Sequence, residues 1–175
     1  MEDKSSAAIN SYLSFRLGEE IFALHVSRVQ KILEMTNITA VPQSPDYMKG
    51  VINLRGNVLP VVDTRVKFGM TPVEAGKGTS ILVVEIMLEG EGVMVGLLVD
   101  AVHSVLKLED EDLLPAPRIG RTYESKFIQY MARVKERFFI VLDMDAVFSS
   151  DEGLDLATLT EVREQMIKEQ DVDEN

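Results

Sequence analysis

Gly50-Val51-Ile52-Asn53-Leu54-Arg55-Gly56-Asn57-Val58-Leu59-Pro60-Val61-Val62-Asp63 is the stretch that decides the fold. Two β-rich apolar runs flank Gly56-Asn57, and a Gly-first pair of this kind favours a two-residue hairpin turn. Such a turn sets Arg55 opposite Val58, Asn53 opposite Pro60 and Val51 opposite Val62 on one face. The other face carries Ile52, Leu54, Leu59 and Val61, with no polar group before Asp63, and reads as core. A guanidinium and an amide beside apolar neighbours make the first face unusual for a solvated surface.

Upstream, Tyr12-Leu13-Ser14-Phe15-Arg16-Leu17 alternates with period two, and Gly18-Glu19 can turn it into Ile21-Phe22-Ala23-Leu24. From Val26 to Met35 the apolar positions Val26, Val29, Ile32 and Leu33 follow helical spacing, which predicts a short amphipathic helix. Ile38 to Val41 reads as a short strand, and Ser44-Pro45-Asp46 as a helix start with Pro at the first helical position. A helical turn is expected from Thr64 to Phe68, then a loop from Gly69 to Gly78. Downstream come a second β-rich block (Ile81 to Leu88, Glu89-Gly90-Glu91-Gly92, Val93 to Val99) and a polar stretch from Glu109 to Lys126. A further hairpin follows, Ile128 to Val134 and Arg137 to Leu142 about Lys135-Glu136. Leu156, Leu159, Val162, Met166 and Ile167 predict an amphipathic helix from Leu154 to Gln170.

The chain also repeats itself. Val58 to Asp63, followed by Phe68, echoes Phe138 to Asp143, followed by Phe148, at an offset of about 80 residues. Leu24, Val29, Ile32 and Leu33 echo Leu97, Val102, Val105 and Leu106 at about 73. Short, closely spaced strands in two copies predict two small antiparallel barrels packed together with a groove between them.

Composition narrows the function. At 175 residues, with 46% hydrophobic and 27% charged residues, a single soluble domain or two small subdomains is expected. No apolar run reaches the roughly 20 residues that span a bilayer, and Met1 to Ser6 lacks a secretion-signal layout, so a cytosolic location without membrane insertion is the default. Of the net charge of −11, the stretch from Ser149 to Asn175 carries most; no basic face is evident, which disfavours nucleic acid. The absence of cysteine rules out disulfides and thiolate metal sites.

Catalytic chemistry is sparse. His25 and His103 sit in largely apolar segments and read as surface or filler histidines. His103 has Asp100 three residues before it but no third metal ligand. Asp63, Asp100 and Asp143 each follow an apolar strand, a position suited to capping a helical turn. The glycines of Glu89 to Val93 precede neither Lys-Ser/Thr nor a helix and make no phosphate loop. A non-enzymatic protein without cofactor or metal is expected.

Gly50 to Gly56, followed by Pro60-Val61-Val62-Asp63, resembles the signature of CheW-type chemotaxis coupling proteins. Val95-Gly96-Leu97-Leu98-Val99-Asp100 with Val102 resembles the family's second characteristic segment, and Pro115-Ala116-Pro117 falls where many members have a similar loop. The resemblance runs from about Tyr12 to Phe148. It implies a mostly β fold of two SH3-like five-stranded antiparallel β-barrel subdomains with short helices. Residues 9–148 would form two intertwined barrels, with residues 149–175 an acidic helical extension. It also implies an adaptor between the cytoplasmic tip of methyl-accepting chemoreceptors and the regulatory domain of a chemotaxis histidine kinase, working in receptor arrays at the inner face of the membrane. Carried over by position, the receptor groove falls on Leu13, Val26, Val29, Ile32 and Val102, and the kinase contact on Lys49, Gly50, Arg55 and Val58. From the residues alone the Val26/Val29/Ile32 stripe reads rather as core, and Arg55 equally as an internal strut. Lys31 stands where relatives often carry an acid. A scaffold for a non-chemotactic receptor–kinase array and a small β-barrel ligand-binding module are the alternatives.

Overall fold

The computed structural model describes residues 10–115 and 127–149. The Leu154–Gln170 helix, the acidic extension, and Ala116 and Pro117 of the proline loop lie outside the described residues.

Among the described residues eleven strands form two curled sheets. In chain order they are β1 Ser11–Leu17, β2 Glu20–His25, β3 Val29–Glu34, β4 Met48–Leu54, β5 Asn57–Asp63, β6 Ser80–Leu88, β7 Glu91–Val99, β8 Ala101–Lys107, β9 Leu113–Leu114, β10 Ile128–Val134 and β11 Arg137–Leu142. Helix α1, Thr64–Lys67, follows β5, and helix α2, Met144–Ser149, follows β11. One sheet runs β8-β1-β2-β11-β10-β9 and the other β3-β6-β7-β5-β4. Pairing is antiparallel except where β11 meets β2 and β5 meets β7, each parallel. The strand following each edge curls round to the far side: Thr39 bridges Val51 on β4, and β9 pairs with β10. The mostly β double-barrel class holds, the first barrel gaining the two-residue β9.

The repeat is present, but neither copy closes on itself. The first unit is β1 to β5 with α1, the second β6 to β11 with α2. Each sheet takes its first hairpin from one unit and its third strand and second hairpin from the other. The two units interlock about a pseudo-twofold axis.

Burial on both strand faces follows from this arrangement. Ile52, Leu59, Val61, Ile81 and Val83 fill one barrel, and Tyr12, Ala23, Ala132, Phe139 and Val141 the other. Phe15, Leu17, Leu24, Leu82, Val84, Ile86, Leu97 and Phe148 join a core shared by both units. Apolar burial stabilises at roughly 25 cal/mol per Å², so the shared layer ties the two barrels energetically.

The opening hairpin keeps its faces but not its register. Its turn is Arg55-Gly56, with φ +53° and +83°, the both-positive pattern of a type I′ turn whose twist suits a hairpin. Asn53 faces Val58, Val51 faces Pro60 and Met48 faces Val62. The Asn53 side-chain oxygen accepts the Gly56 N–H at 2.9 Å and holds the turn there. Because the slip from the expected pairing is two residues, the strand side chains stay on their expected faces, while Arg55 passes into the turn. Ile52, Leu59 and Val61 enter the barrel core, with Leu54 packed against it. The opposite face is not a solvated surface: Val51 and Val58 bury against Val41, and Val62 joins the shared core.

Two helix expectations fail. Val26 to Met35 is a 3-10 turn, Val26–Arg28, followed by strand β3. Ser44-Pro45-Asp46 forms a turn in which Pro45 C=O accepts the Met48 N–H at 2.9 Å. Ile38 to Val41 makes only the single Thr39–Val51 bridge.

Candidate functional site: an apolar rim on two bulged edge strands

β3 and β8 are the edge strands of their sheets, and each pairing carries a bulge. In β3 the register shifts between Val29 and Lys31, so Val29 lies opposite Val84 and Ile32 opposite Leu82. Val84 and Leu82 both point into the shared core. The extra residue of a bulge lets two apolar positions three apart share one strand face. The second sheet repeats the device: β8 sets Val102 opposite Phe15 and Val105 opposite Leu13, both partners in the shared core.

Of the five residues carried over by position, three meet the shared core. Leu13 is buried in the shared core, and Val29 and Val102 are half-buried against it. Ile32 extends the same face outward with 49% of its surface exposed. Val26 sits half-buried in the 3-10 turn that lies against β1. The stripe is both core and surface: Val29 anchors it and Ile32 presents it. Val105, 60% exposed, occupies the position in the second unit that Ile32 occupies in the first. Val105 stands in the repeat but outside the receptor-groove set, and its equivalence to Ile32 in that repeat is the signal that points to it.

The kinase-contact candidates are placed differently. Lys49 and Arg55 are exposed toward opposite ends of β4, about 20 Å apart along an extended strand. Gly50 is buried, and a Cβ there would come within 2.2 Å of the Thr39 carbonyl oxygen, so its role is close backbone packing. Val58 is buried in the small cluster beneath the hairpin. Arg55 projects from the turn rather than from a strand face. Lys31 is exposed on β3 opposite Val83, on the face away from Val29 and Ile32.

The aspartates divide. Asp63 accepts the Val66 N–H and Asp143 the Ala146 N–H, each capping the helix after its strand. Asp100 does not cap; β8 follows it directly. Its carboxylate takes Arg65 Nε at 2.9 and 3.1 Å and Nη2 at 2.6 Å, and the Gly18 N–H at 2.7 Å. The Arg65 fork holds the Asp100 carboxyl below the usual range, against burial, and the Gly18 N–H assists. Arg65 is correspondingly pushed up, first by its hydrogen bond to Asp100. Across the molecule, Arg28 Nη2 meets the Asp145 carboxylate at 2.6 Å, which also accepts the Met87 N–H at 2.9 Å. His25 Nδ1 accepts the Ser27 N–H at 3.1 Å, and its ring meets Tyr12 edge-on; His103 is exposed. Burial, with Tyr130 and Asp110 nearby, raises the Tyr12 phenol. A polar cleft lined by Tyr12, His25, Ser27, Arg28, Gln129 and Asp143 opens beside the β2–β11 pair, where Arg28 is engaged by Asp145 and Asp143 by its cap. Among the described residues no helix is long and apolar enough to cross a membrane.

The family model described as CheW-like domain matches residues 11–152. The probable chemotaxis protein CheW of Rhizobium etli is 36% identical over 141 residues, covering 81% of this chain and 88% of that protein. The chemotaxis protein CheW of Klebsiella aerogenes is 35% identical over 141 residues, covering 81% and 82%. The crystal structure of the scaffolding protein TtCheW from Thermoanaerobacter tengcongensis superposes with a TM-score of 0.74 at 28% identity, over 84% of this chain and 97% of that one. Interlocked barrels, the Gly50–Asp63 hairpin and these matches together place the chain in the CheW-like domain family.

Proposed function

We infer that the protein is a non-enzymatic chemotaxis adaptor that couples chemoreceptors to a histidine kinase. The carrying observation is the rim: two bulged edge strands present Ile32 and Val105 beside half-buried Val29 and Val102. An amphipathic helix docks its apolar face on such a surface through anchors three or four residues apart. The receptor's cytoplasmic tip is the partner for the rim, and Arg55 with Lys49 the accessible part of the contact with the kinase regulatory domain. A planar guanidinium at the hairpin tip suits bidentate contact with a carboxylate or carbonyls, while Gly50 and Val58 shape the hairpin from beneath. The adaptor works in the cytosol, in arrays at the inner membrane face. A ligand-binding module is not favoured by the family relationship.

A reconstituted receptor–kinase assay tests this. Ile32→Asp should weaken receptor capture at least tenfold with an unchanged circular-dichroism spectrum. Arg55→Glu should leave capture intact while receptor-stimulated kinase activity falls. Normal coupling by both variants would refute the assignment.

A further inference from the structure

The two units carry ion pairs of opposite polarity at equivalent places. Both pairs lie one to three residues past the C-terminal ends of a parallel strand pair. Beyond β5 and β7, Arg65 on α1 meets Asp100 at the start of β8. Beyond β11 and β2, Asp145 on α2 meets Arg28 in the turn before β3. Arg65 and Asp145 are 80 residues apart and Arg28 and Asp100 are 72, close to the two repeat offsets. The pseudo-twofold thus brings an arginine onto the place of an aspartate twice over. Side-chain exposure is 15% and 14% in one pair and 32% in each member of the other, so neither is a fully solvated contact.

Interlocking repeats face a specific hazard. A unit that can interlock with its pseudo-copy in the same chain can also interlock with its true copy in a second chain, turning the pseudo-twofold into an exact twofold. Every strand pairing would keep its type, because each unit supplies a hairpin, a third strand and a second hairpin in the same order. The charges would not match. A first unit paired with a first unit sets Arg65 against Arg28 twice, and a second unit paired with a second sets Asp145 against Asp100 twice. Partly desolvated like charges at hydrogen-bonding distance are strongly unfavourable.

We propose that the inverted pairs Arg65–Asp100 and Arg28–Asp145 act as a recognition code that makes each unit interlock with the other unit of its own chain and exclude the same unit of a second chain. Specificity arises from repulsion in the wrong complex as well as attraction in the right one.

Exchanging the members of one pair separates these effects. Arg65→Asp with Asp100→Arg keeps opposite charges in both native contacts. In the homotypic dimer, however, it sets the new carboxylate at position 65 toward Arg28 and the new guanidinium at position 100 toward Asp145. Exchanging Arg28 and Asp145 as well restores the discrimination with every sign reversed. The full chains would be refolded from denaturant at about 50 μM and their mass distribution read by size exclusion with light scattering. The two-site variant should show at least a tenfold larger dimer share than the wild type, and the four-site variant a share close to wild type. Ordinary strand exchange keeps the native contacts and responds equally in both variants, so their difference reads the homotypic form. Equal shares in the two variants would overturn the proposal. Because Asp100 also holds the Gly18 N–H and Asp145 the Met87 N–H, Arg28→Met with Arg65→Met serves as a second variant that retains both carboxylates. It removes the arginine clash and the native attractions but keeps the Asp145–Asp100 clash, so its dimer share should stay below that of the two-site variant; a share equal to or above the two-site variant's would also overturn the proposal.

Discussion

Replacing Asp100 with alanine removes the most heavily bonded ion pair among the described residues, and the structure sets the scale of the loss. The carboxylate accepts from Arg65 Nε and Nη2 and from the Gly18 N–H, all at or below 3.1 Å. Charge-assisted bonds contribute about 1.5–3 kcal/mol each. The two arginine contacts act as one fork, however, and the side chains keep 15% and 14% exposure, so solvent screens part of the attraction. Arg65 also retains its Nη1 bond to the Thr71 carbonyl at 3.0 Å after the substitution. A net loss of about 3 kcal/mol follows, a large share of the ~5–15 kcal/mol typical of a domain. With a urea slope of about 2 kcal/mol per M, the midpoint should fall by about 1.5 M at unchanged slope. A cycle with Arg65→Met assigns about 1–2 kcal/mol of this to the pair, and the rest to the Gly18 N–H. The pH dependence carries the matching sign. Asp100 is depressed in the folded state, so its contribution is complete above the unfolded value of about 3.9 and is lost as pH falls through the lower folded value. Wild type and Asp100→Ala should converge in stability in that acid range. The raised Arg65 would matter only at alkaline pH above its ordinary range. A midpoint shift below about 0.3 M at neutral pH, or strict additivity in the cycle, refutes this account.

Three further outcomes are expected. Gly50→Ala forces a Cβ against the Thr39 carbonyl at φ +149° and should cost about 3 kcal/mol; it should melt well below Gly56→Ala, whose added Cβ meets open space, and equal melting would remove the close-packing requirement. Arg55→Asn places the favoured Asn-Gly pair in the type I′ turn and should stabilise by about 0.5 kcal/mol; a lowered melting temperature contradicts it. Val29→Asp puts a charge against the shared core and should cost about 2–3 kcal/mol, whereas Ile32→Asp should cost under about 1 kcal/mol; similar losses in urea titrations would show that the anchor and the presented residue are not distinct.

The hairpins were legible because alternation and turn residues agree. Gly18-Glu19 and Lys135-Glu136 each sit between runs whose period is two and are turns in the structure; of the expected turn Glu89 to Gly92, Glu89-Gly90 is the turn and Glu91-Gly92 open β7. The error at Val26 to Met35 has a definite cause. A bulge between Val29 and Lys31 gives Val29 and Ile32 one face at a spacing of three, which mimics a helix in a strand. The same mimicry at Val102 and Val105 made the two segments echo each other, so the repeat was found through a pattern whose secondary structure was misread. Asp63 and Asp143 were legible as caps, because a helix follows each. Asp100 was not, because its partner Arg65 lies 35 positions away in the other unit.

The interlock itself left almost no trace in local sequence. Hairpin, third strand and second hairpin read the same whether each unit closes alone or exchanges strands, since periodicity reports which face is buried and not what buries it. What breaks the equivalence is charge at four junction positions, and only with the strand order in hand do Arg28, Arg65, Asp100 and Asp145 acquire partners. The rim depends on the same exchange. β3 belongs to the first unit but edges the sheet built on the second unit's first hairpin, and β8 does the converse. Val29 and Val102 reach one shared core only because each strand has crossed to the other sheet. Edge strands drawn one from each unit exist only in the correctly interlocked chain; a mis-assembled copy would carry two β3 strands or two β8 strands. Discrimination at the charged junctions therefore preserves the crossing of β3 and β8 to the opposite unit's sheet, at positions that the apolar residues of those strands do not include.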